Sequence, residues 1–322
     1  MNEQTEEVSR ALYFTGPKNI EIREEPIEQG KNTQRIESLL MGISHGTEKN
    51  IYLGHIPAGL ASDQTLETLT GSMEYPLKYG YMNIGQRVNK DMVFAFYPHQ
   101  DIFYAPSSAL VPLPSDLSAE NAVFLANIET AVAIAQDSSI VYGETAAVFG
   151  LGIVGLITAY LLLCSGAKEV IGIEPLELRR KMGEELGIKT CHPTDLGKKT
   201  VVDIAVNLSG SSKALQQAID ITAMEGTIVE SSWYGSREVL LNLGNTFHWK
   251  RQRIISSQVS HISGSLLPRW NKNRRMNTAI DVCKQLQPAR FITHTFPLSK
   301  GQEAFDLIVD KPEECLQVVL HP

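Results

Sequence analysis

The chain has 322 residues, enough for two domains and long for a single hydrophobic core. Apolar residues make up 43% and charged residues 20%, as in ordinary globular proteins, and the net charge of −7 gives no basic face for nucleic acid or an anionic membrane. The acidic N-terminus and four scattered cysteines predict a cytoplasmic protein with free thiols and no signal or transit peptide.

Short alternating runs fill the first third of the chain. Residues 11–26 alternate around a Gly16-Pro17 turn, which predicts a β-hairpin. Further strands are predicted for the runs at 35–41, 86–88, 93–96 and 102–105. Residues 56–75 lack strand periodicity and predict a loop with a short helix. We therefore expect the N-terminal part to be a small, mostly β domain.

A glycine-rich stretch between residues 145 and 180 organises the second part of the chain. Its parts are, in order, a helical run leading in (119–135), an apolar strand (146–149), the glycines Gly150, Gly152 and Gly155, an apolar helix (153–164) and a second strand (169–173). The spacing G-x-G-x-x-G between strand and helix is typical of a dinucleotide-binding turn. The uncharged run 146–164 also has the length of a membrane span, but its glycines and the strand that follows favour the dinucleotide site.

Each part of this stretch has a role toward a bound dinucleotide. The three glycines permit, in turn, a tight turn, a close approach of backbone to the pyrophosphate, and helix packing on the strand. The amides expected to face the phosphates are those of Gly152, Ile153 and Val154 at the helix start. Glu174 follows the first glycine by 24 residues, where a carboxylate usually binds the ribose hydroxyls and disfavours a 2′-phosphate. We therefore expect NAD(H) to be preferred over NADP(H).

Strand and helix signals alternate after this stretch, as a doubly wound parallel sheet requires. Strands are predicted at 201–206, 227–230 and 254–259, and helices at 211–223 and 269–286. Ligands in such sheets bind beyond the carboxyl ends of the strands, so the polar strand ends are candidate cofactor contacts. They include Ser209 and Ser232.

The order of these parts resembles the medium-chain dehydrogenase/reductase superfamily, the relatives of alcohol dehydrogenase. The resemblance spans nearly the whole chain and is carried by GISHGTEKNIYLG (42–54), NIETAVAIA (127–135), VFGLGIVGL (148–156) and FITHTFPLSKGQEAFDLIVD (291–310). Within the superfamily, YPLKYGY (75–81), FYPHQD (96–101) and the segment SSWYGS to FHWKRQRIISSQV (231–259) resemble a bacterial branch related to bacteriochlorophyllide-type dehydrogenases.

The resemblance implies an α/β fold in three stretches. Residues 1–126 would form a GroES-like, mostly β catalytic domain and 127–259 a Rossmann NAD-binding domain with a doubly wound parallel sheet. Residues 260–322 would return to complete the catalytic domain. It further implies cofactor contacts from Thr130 and Trp233, a catalytic cleft between the domains and a small-molecule substrate, and it leaves a homodimer open.

The resemblance also shows which metal ligands are missing. Family members hold a catalytic zinc with a Cys in a C-G-T-D turn, a G-H-E motif and a third ligand before the cofactor domain. In this chain the three positions read Ser44-His45-Gly46-Thr47-Glu48, Gly80-Tyr81-Met82 and Ala126. Catalytic zinc needs three ligands from Cys, His or carboxylate. The four cysteines of the family's structural zinc lobe are absent too, so we expect no zinc of either kind.

Without zinc, another group must handle the proton of the substrate oxygen. Thr47 matches the hydroxyl that relays this proton in family members, although a turn hydroxyl bound to local backbone is equally consistent. His45 is either an acid–base group, since imidazole titrates near neutral pH, or a pyrophosphate contact or a solvated residue. Tyr81 either points into the cleft or fills the space left by zinc. His99 either lines the substrate pocket or lies in a surface loop.

Other charged residues receive no catalytic role. Glu48 and Glu129 are interpreted as helix-start or buried structural carboxylates, and the basic run 269–275 as a solvated helix face. The basic residues at 248–253 either contact an acidic substrate or belong to a loop, and the sequence leaves both open.

The sequence therefore predicts a zinc-independent oxidoreductase that transfers hydride between NAD(H) and a hydroxyl or carbonyl group of a small molecule. A second interpretation is an enoyl- or quinone-type reductase of activated C=C bonds, a class that mostly uses NADP(H) and is disfavoured by Glu174. A third is a dinucleotide-binding protein without turnover.

Overall fold

The computed structural model describes residues 7–27, 29–57, 59, 72–197 and 199–322. The chain divides into two compact units, Met1–Ala126 with Cys283–Pro322, and Asn127–Val282. Most of the loop and short helix predicted at 56–75 lies outside the described residues.

The regular elements are as follows. The strands are β1 (Val8–Gly16), β2 (Asn19–Pro26), β3 (Thr33–Gly42), β4 (Leu77–Lys78), β5 (Asn83–Arg87), β6 (Met92–Ala95), β7 (Ile102–Pro106), β8 (Leu110–Pro112), β9 (Thr145–Phe149), β10 (Glu169–Ile173), β11 (Lys189–Cys191), β12 (Val202–Asn207), β13 (Thr222–Glu230), β14 (Arg253–Ser256), β15 (Ile292–Pro297) and β16 (Gln317–His321). The α-helices are α1 (Thr47–Tyr52), α2 (Ala119–Ala122), α3 (Leu125–Ser138), α4 (Ile153–Cys164), α5 (Glu177–Glu185), α6 (Ser212–Ile221), α7 (Thr246–Trp249), α8 (Lys272–Leu286) and α9 (Gly301–Asp310).

The first unit is built on two sheets. Strands β2, β1 and β4 form one antiparallel sheet, and the predicted hairpin at 11–26 is confirmed as β1 paired with β2. The second sheet has the order β15-β16-β3-β5-β6-β8, with β7 also paired to β3. Only β15 and β16 run parallel in it, so the C-terminal residues complete the sheet that the N-terminal residues begin.

An aromatic cluster holds α1 in place within this unit. The ring of Phe305 on α9 lies 5.2 Å from the ring of Phe14 and 5.3 Å from that of Tyr52. The Tyr52 hydroxyl donates to Asp306 Oδ1 at 2.6 Å, which satisfies the polar end of a fully buried side chain. The helix that follows the Ser44–Thr47 turn is therefore fixed at its C-terminal end by apolar packing.

The second unit contains a six-stranded parallel sheet of order β11-β10-β9-β12-β13-β14. Strand order reverses between β9 and β12, which makes that point the topological switch of a doubly wound sheet. Phe149, the last residue of β9, pairs with Ile173 on one side and Asn207 on the other. The carboxyl ends of three strands thus meet beside Gly150.

The uncharged run 146–164 is divided between β9 and α4, with the glycine turn between them. No helix in the described ranges is long and apolar enough to cross a membrane. The helix packs closely on its strand because Gly155 has no side chain: a Cβ there would stand 1.9 Å from the carbonyl oxygen of Gly150.

Several elements begin or end at other residues than the pattern predicts. Strand β13 starts at Thr222 rather than 227, directly after α6, and β14 ends at Ser256 rather than 259. Helix α8 starts at Lys272 rather than 269, because the Asn271 side chain accepts from the Arg274 amide at 2.8 Å and caps the helix there.

The interpretation of 269–275 as a solvated face is wrong for Arg275. Its side chain is buried and its Nε donates to Glu129 Oε1 at 3.0 Å, while Nη1 donates to the His261 carbonyl at 3.1 Å. Burial raises the pKa of Glu129 against the opposing effect of Arg275. Further along α8, Cys283 donates to the Asn121 carbonyl of the first unit. The chain accordingly returns to the first unit at Cys283, not at residue 260.

A pair of glycine substitutions tests the packing of α4 on β9. Gly155→Ala should destabilise the protein by about 3 kcal/mol, the upper part of the range for overpacking, because the atom it meets is backbone and cannot rotate away. Gly152→Ala is the matched control, since a Cβ at position 152 has nothing within 4 Å and its φ of −64° suits alanine. Its free energy of unfolding should change by less than about 1 kcal/mol. Thermal and urea unfolding measure both; equal losses would contradict this packing.

Candidate active site

The glycine turn in the second unit presents the start of α4 at the carboxyl edge of the sheet. Gly150 has a φ of +90°, and a Cβ there would approach the Ser209 backbone to 2.9 Å. Position 150 therefore requires glycine. Gly152, which caps α4, has open space around its Cα.

The first amides of α4 have no partners within the helix. The first hydrogen bond of the helix runs from the Leu156 amide to the Gly152 carbonyl oxygen, at 2.9 Å. The preceding amides, including those of Ile153 and Val154, belong to the positive end of the helix dipole. An anionic phosphate is the ligand that such a helix start favours.

Glu174 lies directly beyond β10 and is tied to this turn. Its Oε2 accepts from the Leu151 amide at 2.7 Å and its Oε1 from the Leu176 amide at 3.0 Å. The residue is 3% exposed. Arg180 Nη1 donates to the Glu174 carbonyl oxygen at 2.8 Å and not to the carboxylate. The carboxylate is thus fixed in orientation, with one acceptor position left on each oxygen.

A polar network joins the ends of β12 and β13, and the sequence pattern did not predict it. Asn207 is fully buried, and its Nδ2 donates to Glu230 Oε2 at 2.7 Å and to the Tyr234 hydroxyl at 3.0 Å. The predicted contacts Ser209 and Ser232 are part of it: Ser209 Oγ donates to Asn207 Oδ1 at 2.7 Å, and the Ser232 amide donates to Glu230 Oε1 at 2.7 Å. In the sequence, the only indication of this network was that Ser209 and Ser232 are polar residues at the ends of predicted strands.

The two remaining cofactor candidates lie in the same unit. Thr130 is on α3 and Trp233 follows β13, and both are partly buried. Their role toward a cofactor stays a prediction.

In the first unit, the turn before α1 is held by its own polar groups. The amide of Thr47 donates to Ser44 Oγ at 3.2 Å, and the Ser44 amide donates to Glu48 Oε1 at 3.1 Å. This reciprocal arrangement is similar to a capping box. It fixes the Thr47 hydroxyl at the start of the helix.

Glu48 and His99 form a buried pair beside this turn. Both side chains are fully buried, and His99 Nε2 lies 2.6 Å from Glu48 Oε2. Since Nδ1 of His99 has no hydrogen-bond partner among the described residues, the geometry fits the tautomer with its proton on Nε2. Gly80 allows the ring to lie here: its φ is +137°, and a Cβ would stand 2.8 Å from the ring. His99 is therefore not a surface-loop residue.

Tyr81 brings a third hydroxyl to the same place. Its phenol hydrogen-bonds with the hydroxyls of Ser44 and Thr47. Burial and the nearby charge of Glu48 raise the pKa of Tyr81 to about 12, despite the lowering effect of those hydrogen bonds. The phenol thus stays protonated at physiological pH. Its edge packs on Tyr79, with ring centroids 6.3 Å apart.

The structure therefore brings Thr47 and Tyr81 into one hydroxyl cluster, with the Glu48–His99 pair beside it. His45, the fourth candidate, lies in the same turn and is partly buried. Sequence reasoning had left Glu48 without a role in the site, because nothing in the pattern indicated that it would meet His99.

The residues present do not fit a zinc ion. Within the described ranges, no group of three or more His, Cys, Asp and Glu side chains could hold a metal. At the family's ligand positions Tyr81 is hydrogen-bonded to hydroxyls, while Met82 and Ala126 are buried apolar side chains. Glu48 and His99 offer two ligand atoms, but these are bonded to each other. Catalytic zinc requires three protein ligands.

Named proteins similar to this chain are mainly alcohol and polyol dehydrogenases, whereas no protein-family model matches it. D-guloside 3-dehydrogenase of Escherichia coli is 27% identical over 219 residues, 64% of this chain and 63% of that protein. (R,R)-Butanediol dehydrogenase of Bacillus subtilis is 26% identical over 266 residues, 68% and 77% of the two chains. A zinc-type alcohol dehydrogenase-like protein of E. coli, YphC, is 26% identical over 234 residues, 69% and 63%. The chain thus matches less than two thirds of the length of the guloside dehydrogenase.

Solved structures share the fold over the whole chain. The 2R,3R-butanediol dehydrogenase of B. subtilis matches with a TM-score of 0.78 at 20% identity, covering 98% of this chain and 99% of that one. The expected fold class is confirmed: it is α/β, a GroES-like unit plus a Rossmann unit, as in medium-chain alcohol dehydrogenases.

Two further matching structures contain a dinucleotide. A dehydrogenase from Sinorhizobium meliloti, bound to NADP, has a TM-score of 0.76 at 17% identity and covers 98% of this chain and 100% of its own. An alcohol dehydrogenase from E. coli CFT073, complexed with NADH, has a TM-score of 0.78 at 17% identity and covers 98% and 99%. Both cofactor types therefore occur among proteins of this fold.

Proposed function

We propose that this chain is a zinc-independent, NAD(H)-linked dehydrogenase that transfers hydride between the cofactor and a hydroxyl or carbonyl carbon of a small molecule. The observation that carries the proposal is the glycine turn at the topological switch, with Glu174 bound to the turn's own Leu151 amide. The names of the relatives, which act on a guloside and a butanediol, support a hydroxyl-bearing substrate. We place the activity in the cytoplasm.

The cofactor preference follows from Glu174. A buried carboxylate with free acceptor positions suits the two hydroxyls of an unmodified adenosine ribose. A 2′-phosphate removes one donor and sets negative charge against the carboxylate. Arg180 does not cancel this charge, since its guanidinium is engaged with the carbonyls of Glu174 and Pro175.

Zinc independence is supported by the site of the first unit. The hydroxyls of Ser44, Thr47 and Tyr81 already satisfy one another there. One relative is named as zinc-type, which argues against zinc independence. The side chains at the three ligand positions argue for it, because they are not zinc ligands. From YPLKYGY and FYPHQD we further assign the chain to a branch related to bacteriochlorophyllide-type dehydrogenases.

The chain's own residues would handle the proton as follows. The bound nicotinamide supplies the hydride acceptor or donor. Thr47 Oγ1 takes the proton of the substrate hydroxyl while passing its own to His45, either directly or through the Tyr81 hydroxyl, which then gives its own proton to His45. Tyr81 remains neutral and acts only as donor and acceptor within the cluster, because the pKa of its phenol is about 12. His45 is the candidate terminal base, since imidazole can exchange a proton with water near neutral pH. His99, fully buried against Glu48, holds the turn.

Cofactor titration tests the role of Glu174. The unmodified protein should bind NADH at least ~10-fold more tightly than NADPH, since a lost charge-assisted hydrogen bond alone costs about 1.5–3 kcal/mol. Glu174→Ser should narrow or invert this ratio. Glu177→Gln is the matched control, because it removes an exposed carboxylate three residues away. Fluorescence titration measures the six affinities, those of three proteins for NADH and for NADPH. Equal or tighter NADPH binding by the unmodified protein would show that Glu174 does not contact the ribose.

Turnover of hydroxyl variants tests the proton relay. Polyols, vicinal diols and an activated enone form the substrate panel, and we expect NAD⁺-dependent oxidation of a hydroxyl compound. Thr47→Val should lower kcat by about 10²-fold or more and leave NADH affinity nearly unchanged, because general acid–base assistance is lost. Tyr81→Phe should lower kcat without moving the pH profile near neutrality. Thr33→Val, which removes a hydroxyl bonded only to the Gly30 carbonyl, is the control.

The outcomes separate the interpretations. Reduction of the enone alone would indicate the C=C reductase. Cofactor binding without turnover of any compound would indicate a dinucleotide-binding protein. If the Thr47 and Tyr81 variants both turn over substrate as fast as the unmodified protein, the proton relay must consist of other residues.

A further inference from the structure

The network at the ends of β12 and β13 carries a charge that the dinucleotide fold by itself does not require. Glu230 is the last residue of β13 and pairs in register with Asn207, which in turn pairs with Phe149. Glu230 thus lies two strands from the glycine turn, on the opposite side of β9 from Glu174.

The hydrogen bonds of Glu230 are those of an ionised carboxylate. It accepts from the Ser232 amide at 2.7 Å, from Asn207 Nδ2 at 2.7 Å and from the Tyr234 hydroxyl at 3.1 Å. All three partners donate, and an ionised carboxylate can only accept. Asn207 is itself fixed by Ser209, whose hydroxyl donates to its Oδ1. The carboxylate is therefore held in one orientation.

No cation among the described residues neutralises this charge by a direct ion pair. The nearby Arg237 directs its Nε to the Tyr234 carbonyl oxygen at 3.1 Å, and its guanidinium lies 5.8 Å from the centre of the Tyr234 ring. A fixed, unpaired negative charge at a strand end acts on whatever ligand occupies that half of the crevice.

The topology indicates which half of a dinucleotide that is. A doubly wound sheet binds one mononucleotide on each side of its switch point, and here the switch lies between β9 and β12. Glu174, beyond β10, belongs to the side assigned to adenosine, which leaves the β12–β13 side for the nicotinamide mononucleotide. The oxidised nicotinamide ring is cationic and the reduced ring is neutral, so a carboxylate on that side stabilises only the oxidised form.

We infer that Glu230, held by Asn207, Ser232 and Tyr234, is a specificity residue for the redox state of the cofactor and favours NAD⁺ relative to NADH. The inference rests on the proposed function, because it requires a nicotinamide dinucleotide in the crevice. It implies that NAD⁺ occupies the free enzyme in preference to NADH when the two are present at equal concentration.

The test is the ratio of two dissociation constants, Kd(NAD⁺)/Kd(NADH), measured by calorimetry on the full chain without substrate. Glu230→Gln keeps the shape of the side chain and removes its charge. It should raise this ratio on the order of 3- to 10-fold, the effect of one partly screened charge. Glu230→Thr is a second neutral variant, suited to a strand, which gives the same measurement if the Gln variant does not fold. Glu230→Asp should keep the ratio near that of the unmodified protein.

Glu225→Gln is the matched control. Glu225 lies on the same strand β13 toward its other end, is exposed and pairs with Arg251, so its charge should leave the ratio unchanged. An unchanged ratio in the folded neutral variants of Glu230 would overturn the inference while leaving the proposed function intact. Failure of the unmodified protein to bind either nucleotide would instead overturn the proposed function, and this inference with it.

Discussion

The second unit depends on one close backbone approach. Helix α4 can lie on the end of β9 only because Gly155 has no side chain where the Gly150 carbonyl oxygen passes. That contact places the unpaired amides of α4 at the carboxyl edge of the sheet, and it leaves the Leu151 amide free to bind Glu174. One turn thus sets the position of an anion site and of the carboxylate beside it. The packing of α4 and the placement of Glu174 therefore follow from the same constraint.

The first unit depends on a different kind of constraint, a buried charge. A carboxylate without water is costly unless it is hydrogen-bonded, and Glu48 meets this need with the Ser44 amide and His99. The pair ties the turn before α1 to the loop at residues 97–101. With the turn fixed, the hydroxyls of Thr47 and Tyr81 meet at the place where relatives of this fold would have metal ligands. Charge and hydrogen bonding therefore hold the residues of this turn in position.

Local spacing made the glycine turn predictable, because the three glycines, the strand and the helix follow one another within twenty residues. The network of Asn207, Glu230 and Tyr234 was not predictable in the same way. It exists because β12 and β13 pair in a particular register, which residues 23 and 27 positions apart do not reveal.

The pair of Glu48 and His99 was missed for the same reason, because the two residues are 51 positions apart. The His99 ring can reach Glu48 only because Gly80 has no side chain in its way. Arg275 was misjudged because it begins the buried face of α8, on which Ala279 and Cys283 follow, and a basic residue at the end of an exposed basic run gives no sign of burial. Strand, turn and helix could be predicted along the chain, whereas contacts between distant elements required the fold. The four catalytic candidates were chosen by resemblance, and the structure distinguishes them: two share the hydroxyl cluster and one is buried behind it.

The central claim is that hydride chemistry in this protein proceeds with hydroxyl and imidazole groups in place of a metal. The most direct measurement is the zinc content of the purified protein by elemental analysis, combined with NAD⁺-dependent turnover before and after chelator treatment. The account predicts much less than one zinc per chain and unchanged turnover after chelation. About one zinc per chain, with turnover lost on its removal and restored on its return, would contradict it.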